Sequence, residues 1–101
     1  MTINKNSDGD KLTVAVVGRL DTTTAPQLET CLQKDEDLAK YKTLTFDFAE
    51  LEYVSSAGLR VLLATQKTMA SHGKMIIKNV NDSIMEVFEI TGFSDILTIE
   101  K

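Results

Sequence analysis

The sequence predicts an α/β fold: one domain, residues 1–101, built on a mixed, mostly parallel sheet of four to five strands whose helices come from βαβ crossovers. Three observations predict it. Short apolar segments of period two alternate with longer segments of helical period. Each helical segment opens on Ser, Thr or Asn, and two of the three are followed by Gly. The chain also begins with two strand-like segments across a tight turn, so one antiparallel edge precedes the parallel units. A chain of 101 residues is long enough to bury a core without disulfides or metals.

In chain order, Thr2 to Lys5 reads as a short edge strand, and Ser7-Asp8-Gly9-Asp10 as a turn. Lys11 to Gly18 follows as a strand. Leu12, Val14 and Val16 share one face, while Ala15 and Val17 make the other apolar too, the pattern of an interior strand. Thr24, Pro26 and Gln27 have the spacing of a capping box with proline in the first turn. The helix they open carries Leu28, Cys31 and Leu32 inward and Glu29 and Gln33 outward, and frays at Asp35-Glu36-Asp37, where acid opposes the helix dipole. Leu44 to Phe48 alternates as the next strand, and Glu50-Leu51-Glu52-Tyr53 reads as a connecting turn. The main helix then runs to about His72 on a stripe of Leu59, Leu62, Leu63, Gln66, Met69 and Ala70, with Gly73 as its stop. Met75-Ile76-Ile77 is a strand. Ser83 and Glu86 form a second capping box for a helix burying Ile84, Val87 and Phe88 and ending at Gly92, and Ile96 to Ile99 closes the sheet.

Composition excludes several functions. The net charge is −4 and Lys and Arg form no run, so there is no basic surface for nucleic acid. The start, Met1-Thr2-Ile3-Asn4-Lys5, carries no leader-like apolar core, and no apolar run reaches membrane-spanning length. A single cysteine, Cys31, allows no internal disulfide and reads as a small core residue. The expectation is a whole small cytoplasmic protein, monomeric when free, with no membrane partner. One His and one Cys make no zinc set and no Cys–His pair; His72 reads as a favourable charge at a helix C-terminus. No phosphate-binding glycine loop is present. Asp21, Asp47, Glu50 and Glu52 could in principle form a carboxylate site, but they read as solvated surface charge, and no nucleophile–base pair accompanies them. No enzyme activity, cofactor or metal is expected.

The chemistry-bearing stretch is Tyr53-Val54-Ser55-Ser56-Ala57-Gly58-Leu59-Arg60, where the period changes from two to helical. Ser55 or Ser56 is the N-cap of the main helix. A helix start offers unpaired N–H groups and the positive end of the dipole, so a hydroxyl there either caps the helix or is a place where a phosphate would be accommodated. Ala57 and Gly58 keep bulk away from it.

The stretch from Tyr53 to Leu63 resembles the phosphorylation motif of anti-sigma factor antagonists, the STAS domain family. Gly18-Arg19-Leu20-Asp21 resembles the family's Gly-x-Leu-Asp after its second strand. Phe46-Asp47-Phe48-Ala49-Glu50-Leu51 resembles its central strand and turn, and Phe88-Glu89-Ile90-Thr91-Gly92-Phe93 its late helix. The resemblance spans nearly the whole chain and implies a single STAS-type domain acting as a switch. The unphosphorylated antagonist binds an anti-sigma factor that is itself a serine kinase. Phosphorylation on serine releases it, and a metal-dependent serine/threonine phosphatase restores the binding form. In many members the motif reads Asp-Ser-Ser/Thr-Gly-Leu-Gly. Aligned on Gly58-Leu59, the phosphorylated position is Ser56, with Ser55 as second candidate, and Arg60 stands where those members have Gly. The implied partner surface is Asp21, Thr22, Ser55, Ser56, Ala57, Gly58, Leu59 and Arg60. Some members carry a further C-terminal helix, which this sequence, ending at Lys101, is expected to lack or replace. The alternative is a constitutive STAS-like interaction subunit of a larger signalling or transport assembly, never phosphorylated, in which the serine pair is only a cap.

Overall fold

The computed structural model describes residues 1–34, 38 and 41–100, with only the backbone of 33 and 34. The strands are β1 (Thr2–Asp8), β2 (Lys11–Leu20), β3 (Thr43–Asp47), β4 (Leu51–Val54), β5 (Lys74–Lys78) and β6 (Thr98–Glu100). The helices are α1 (Ala25–Lys34), α2 (Ser56–Ala70) and α3 (Asp82–Thr91). β1 and β2 form the expected antiparallel hairpin, and the remaining pairs are parallel, in the order β1-β2-β3-β5-β6 with β4 beside β2. The sheet is thus mixed and mostly parallel, as the strand–helix alternation predicts, with six strands.

One face of the sheet carries the core. Leu12, Val14, Val16, Leu44, Phe46, Met75 and Ile77 point into it and are buried, as are Leu28 of α1, Leu62 and Met69 of α2 and Phe88 of α3. The residues that alternate with them, among them Thr13, Ala15, Val17, Thr43, Thr45 and Ile76, are only partly buried. Apolar residues on both faces of β2 therefore do not mark a strand covered on both sides; the second face is small and polar enough to meet solvent.

The strand that sequence reading takes for a turn is β4. β3 pairs with Lys11–Ala15 of β2 and then leaves it, and β4 fills the vacated edge along Gly18–Leu20. Its burial runs buried, exposed, exposed, buried, so it lacks the alternation that signals a strand, and pairing with β2 alone makes it one. The register shifts between Gly18 and Arg19, and Gly18 has φ 98°, a conformation open to glycine at a bulge. This bulge carries β2 beyond Gly18 to Leu20.

Four further local expectations are corrected. Thr24 does not cap α1 through its side chain: its hydroxyl turns back to accept from the Asp21 N–H (2.8 Å) and donate to the Arg19 carbonyl (2.8 Å). Asn81, not Ser83, caps α3, accepting from the Ile84 N–H at 2.9 Å, and its amide also donates to the Leu51 carbonyl of β4. Gly73 is not a left-handed stop for α2, which ends at Ala70; a Cβ there would strike the carbonyl of Lys42, which accepts from the Lys74 N–H as β5 begins. Gly92, at φ 82°, does end α3. Cys31 is partly exposed on α1 rather than in the core. The Asp35-Glu36-Asp37 corner lies outside the described residues.

Candidate functional site

The site lies at the C-terminal end of β2 and β4, where the chain turns into α1 and α2. Leu20 is fully buried, and its carbonyl accepts from the Ser55 N–H at 2.8 Å, stapling the end of β2 to the start of α2. That bond brings Asp21 and Thr22, which follow Leu20, alongside Ser55 and Ser56.

The two serines have different duties. Ser55 has extended backbone (φ −98°, ψ 174°); its Oγ accepts from the Gly58 N–H at 3.4 Å, and its carbonyl receives the first helical bond from Leu59 at 2.9 Å. It is the N-cap. Ser56 is the first helical residue. Its side chain is exposed and, among the described residues, makes no hydrogen bond. A phosphate on Ser56 would sit at the positive end of a 15-residue helix.

Gly58 and Leu59 are buried, so neither offers surface to a partner directly. A Cβ on Gly58 would lie 2.7 Å from Leu20 Cγ and 3.1 Å from the Leu20 carbonyl oxygen. The glycine is there so that α2 can start against the end of β2, not to leave an approach open. Leu59, 5% exposed, anchors the first turn in the core. The exposed members of the expected surface are Thr22, Ser56 and Arg60, with Asp21, Ser55 and Ala57 partly exposed.

Asp21 is held in an Asx turn. Its Oδ1 accepts from the N–H groups of Thr23 (3.0 Å) and Thr24 (3.1 Å), and Oδ2 lies 3.7 Å from Arg19 Nε. The Thr24 N–H, aided by Thr23, the Thr24 hydroxyl and the Arg19 charge, holds the Asp21 carboxyl below its ordinary range, so it is ionised at neutral pH. Asp47, at the end of β3, is likewise depressed, chiefly by the Asn79 amide at 2.9 Å and also by the Ala49 N–H at 3.0 Å. Both carboxylates are tied to local donors. Among the described residues no group of three or more His, Cys, Asp or Glu side chains could hold a metal, and no helix is long and apolar enough to cross a membrane. His72 joins the end of α2 to the Leu38 carbonyl through Nε2 at 2.9 Å, a structural tie.

Sequence reading misses one feature beside the site. Arg19 and Tyr53 face each other across β2 and β4, and the Arg19 guanidinium carbon lies 4.4 Å from the Tyr53 ring centroid. Reading residues 50–53 as a turn hides this cross-strand pair; only the unusual exposure of an aromatic, 41% for Tyr53, draws attention to it.

Comparisons with known proteins bear on the family and the fold. A family model described as STAS domain matches residues 2–101. The anti-sigma-B factor antagonist of Listeria monocytogenes is 30% identical over 97 residues, covering 95% of this chain and 84% of that protein. The anti-sigma-B factor antagonist of Staphylococcus aureus is 33% identical over 92 residues, covering 87% and 82%. An anti-sigma factor antagonist from Mycobacterium paratuberculosis has a similar fold, with TM-score 0.87, 21% identity, and coverage of 98% of this chain and 84% of that one. The Bacillus cell fate determinant SpoIIAA in its phosphorylated form superposes with TM-score 0.75 at 17% identity, covering 99% and 92%.

Proposed function

The chain belongs to the STAS domain family, and from that premise we propose that it is an anti-sigma factor antagonist switched by phosphorylation of Ser56. The observation that carries this reading is the division of labour in the serine pair. Ser55 meets the helix's need for a cap, so Ser56 is left exposed and unengaged on the first turn. A cap explains one serine and not the second. The names of the curated relatives, and the existence of SpoIIAA in a phosphorylated form, support the same class of activity.

In its unphosphorylated form the chain binds an anti-sigma factor that is a serine kinase. Asp21, Thr22, Ser55, Ser56, Ala57 and Arg60 supply the contact surface, and Gly58 and Leu59 hold its shape from beneath. The kinase transfers phosphate to the Ser56 hydroxyl. The phosphate adds about −1.5 to −2 charges to a surface that already carries ionised Asp21. Against a partner shaped for a hydroxyl, that charge would be buried unpaired. Such burial costs several kcal/mol, and each ~1.4 kcal/mol is tenfold in affinity, so the complex dissociates. A metal-dependent serine/threonine phosphatase resets the cycle. The chain is the substrate and binding partner in this scheme, a cytoplasmic monomer when free, and contributes no catalytic group.

The test uses the serine-kinase anti-sigma factors of the source organism, purified and incubated with the chain and ATP. Mass spectrometry is expected to locate phosphate on Ser56. Calorimetric titration is expected to show Ser56→Ala binding like the parent and resisting phosphorylation, and Ser56→Asp losing at least tenfold in affinity. Phosphate on Ser55 in the parent, retained in Ser56→Ala, would move the site by one residue. If no kinase modifies the chain and the acidic variant binds a partner as the parent does, the constitutive-subunit reading replaces this one.

A further inference from the structure

We propose that Arg19 and Tyr53 form a preassembled anchor that docks the kinase partner, extending the contact surface from the α2 start onto the open face of the sheet. This rests on the function proposed above. Leu20 and Val54 point into the core, so their neighbours Arg19 and Tyr53, paired across β2 and β4, point to the opposite face. The pair adjoins the site by covalent continuity: Tyr53 precedes Ser55 by two residues and Arg19 precedes Asp21 by two. The Leu20–Ser55 hydrogen bond locks the two segments together.

Three properties suit the pair to binding. It is accessible, with the Arg19 side chain 59% exposed and Tyr53 41% exposed. It is ordered before any partner arrives. The guanidinium rests over the ring at 4.4 Å, its Nε lies 3.7 Å from Asp21 Oδ2, and Asp21 is itself fixed by the Thr23 and Thr24 N–H groups. Side chains ordered in advance lose little freedom on association. And it is chemically unfinished: among the described residues the terminal nitrogens of Arg19 make no hydrogen bond. Arg and Tyr are the side chains that most often dominate binding energy at protein interfaces. A planar guanidinium with free terminal N–H groups fits a carboxylate, so the partner surface carries an Asp or Glu facing Arg19 and a flat apolar group against the Tyr53 ring.

The two parts of the surface then divide the work. The anchor supplies affinity that phosphorylation does not chemically alter, and Ser56 supplies the charge that makes the whole contact untenable.

The experiment titrates Arg19→Gln, which removes the charge and the guanidinium over the ring, together with Tyr53→Ala, Tyr53→Phe and Ser56→Asp. The probe is the purified kinase of the source organism that modifies the parent chain. Arg19→Gln and Tyr53→Ala are each expected to weaken binding at least tenfold and to raise KM for phosphorylation with kcat unchanged. Tyr53→Phe is expected to stay within threefold of the parent, because the ring and not the hydroxyl makes the stack. Arg19→Gln should also flatten the salt dependence of affinity. If Arg19→Gln and Tyr53→Ala bind within twofold of the parent while Ser56→Asp loses binding, the anchor is wrong and the switch stands. If Ser56→Asp binds normally while Arg19→Gln does not, the switch is wrong and the anchor stands. A panel in which no such kinase binds the parent overturns both.

Discussion

Gly58 has the least freedom to change of any residue in the site. Alanine favours a helix by about 1 kcal/mol over glycine, an advantage that would apply to Gly58→Ala if space allowed. Space does not allow it: the new Cβ would stand 2.7 Å from Leu20 Cγ and 3.0 Å from Cδ2, and Leu20 is fully buried with its carbonyl already bonded to Ser55. Overpacking of this kind costs about 1–3 kcal/mol, so the clash wins. Gly58→Ala is expected to lower the urea midpoint, and a midpoint equal to or above the parent's would mean that the end of β2 yields easily. The glycine was legible as part of a motif, but its reason was not, because its neighbour in space is 38 residues away in sequence. The caps show the same limit at shorter range. Ser55, Ser56, Thr24, Asn81 and Ser83 are all chemically able to cap, and spacing alone does not choose among them. The choice is made by where the preceding strand delivers the chain. β4, bonded to Leu20, puts Ser55 in the extended conformation a cap requires, and the carbonyl of Leu51 draws the Asn81 amide into place before α3.

At the scale of the element, α2 shows how a correct period can carry a phase error. Its length and start follow from the sequence, and Leu59, Leu62 and Met69 are buried as their spacing predicts. Leu63, on the expected stripe, is only partly buried, whereas Val61 and Thr65 are buried. Thr65 was invisible as a core position because it is polar. Its hydroxyl donates to the Val61 carbonyl at 2.8 Å, which removes the cost of burying it. The helix is therefore rotated so that its inner face centres on Leu62. Leu62→Ala is expected to cost about 2–5 kcal/mol in chemical denaturation, and Leu63→Ala clearly less, since Leu62 is fully buried in the core whereas Leu63 is only partly buried and lies outside it. Equal losses for the two variants would place the inner face back on the predicted stripe. β4 is the complementary case, an element that its own four residues do not encode and that forms because β3 turns away and leaves the edge of β2 unpaired. Parallel crossovers, in contrast, were legible, since apart from β4 strands and helices alternate from Lys11 onward.

At the scale of the whole molecule, the question is whether the switch acts on the fold or on its surface. The core lies between one face of the sheet and the helices, and Ser56 is outside it. A phosphate there displaces no buried side chain. It does raise the negative charge of a chain already at −4, and self-repulsion weakens a compact state. Against this stands the helix dipole, worth about 0.3–1 kcal/mol to an exposed anion on the first turn, together with the free N–H groups of that turn. The first turn of α2 contains no acidic residue of its own that would already satisfy the dipole. The local gain and the diffuse repulsion are of similar size, so phosphorylation is expected to leave global stability within about 1 kcal/mol of the parent. The chain with phosphoserine installed at position 56, melted beside the unmodified chain and followed by circular dichroism, is expected to show the same helix content and a midpoint within about 4–8 °C. Raising the salt should move the modified chain little, because screening weakens the favourable dipole and the unfavourable repulsion together. A cooperative loss of helix on phosphorylation would mean instead that the partner is released because α2 unravels from its N-terminus.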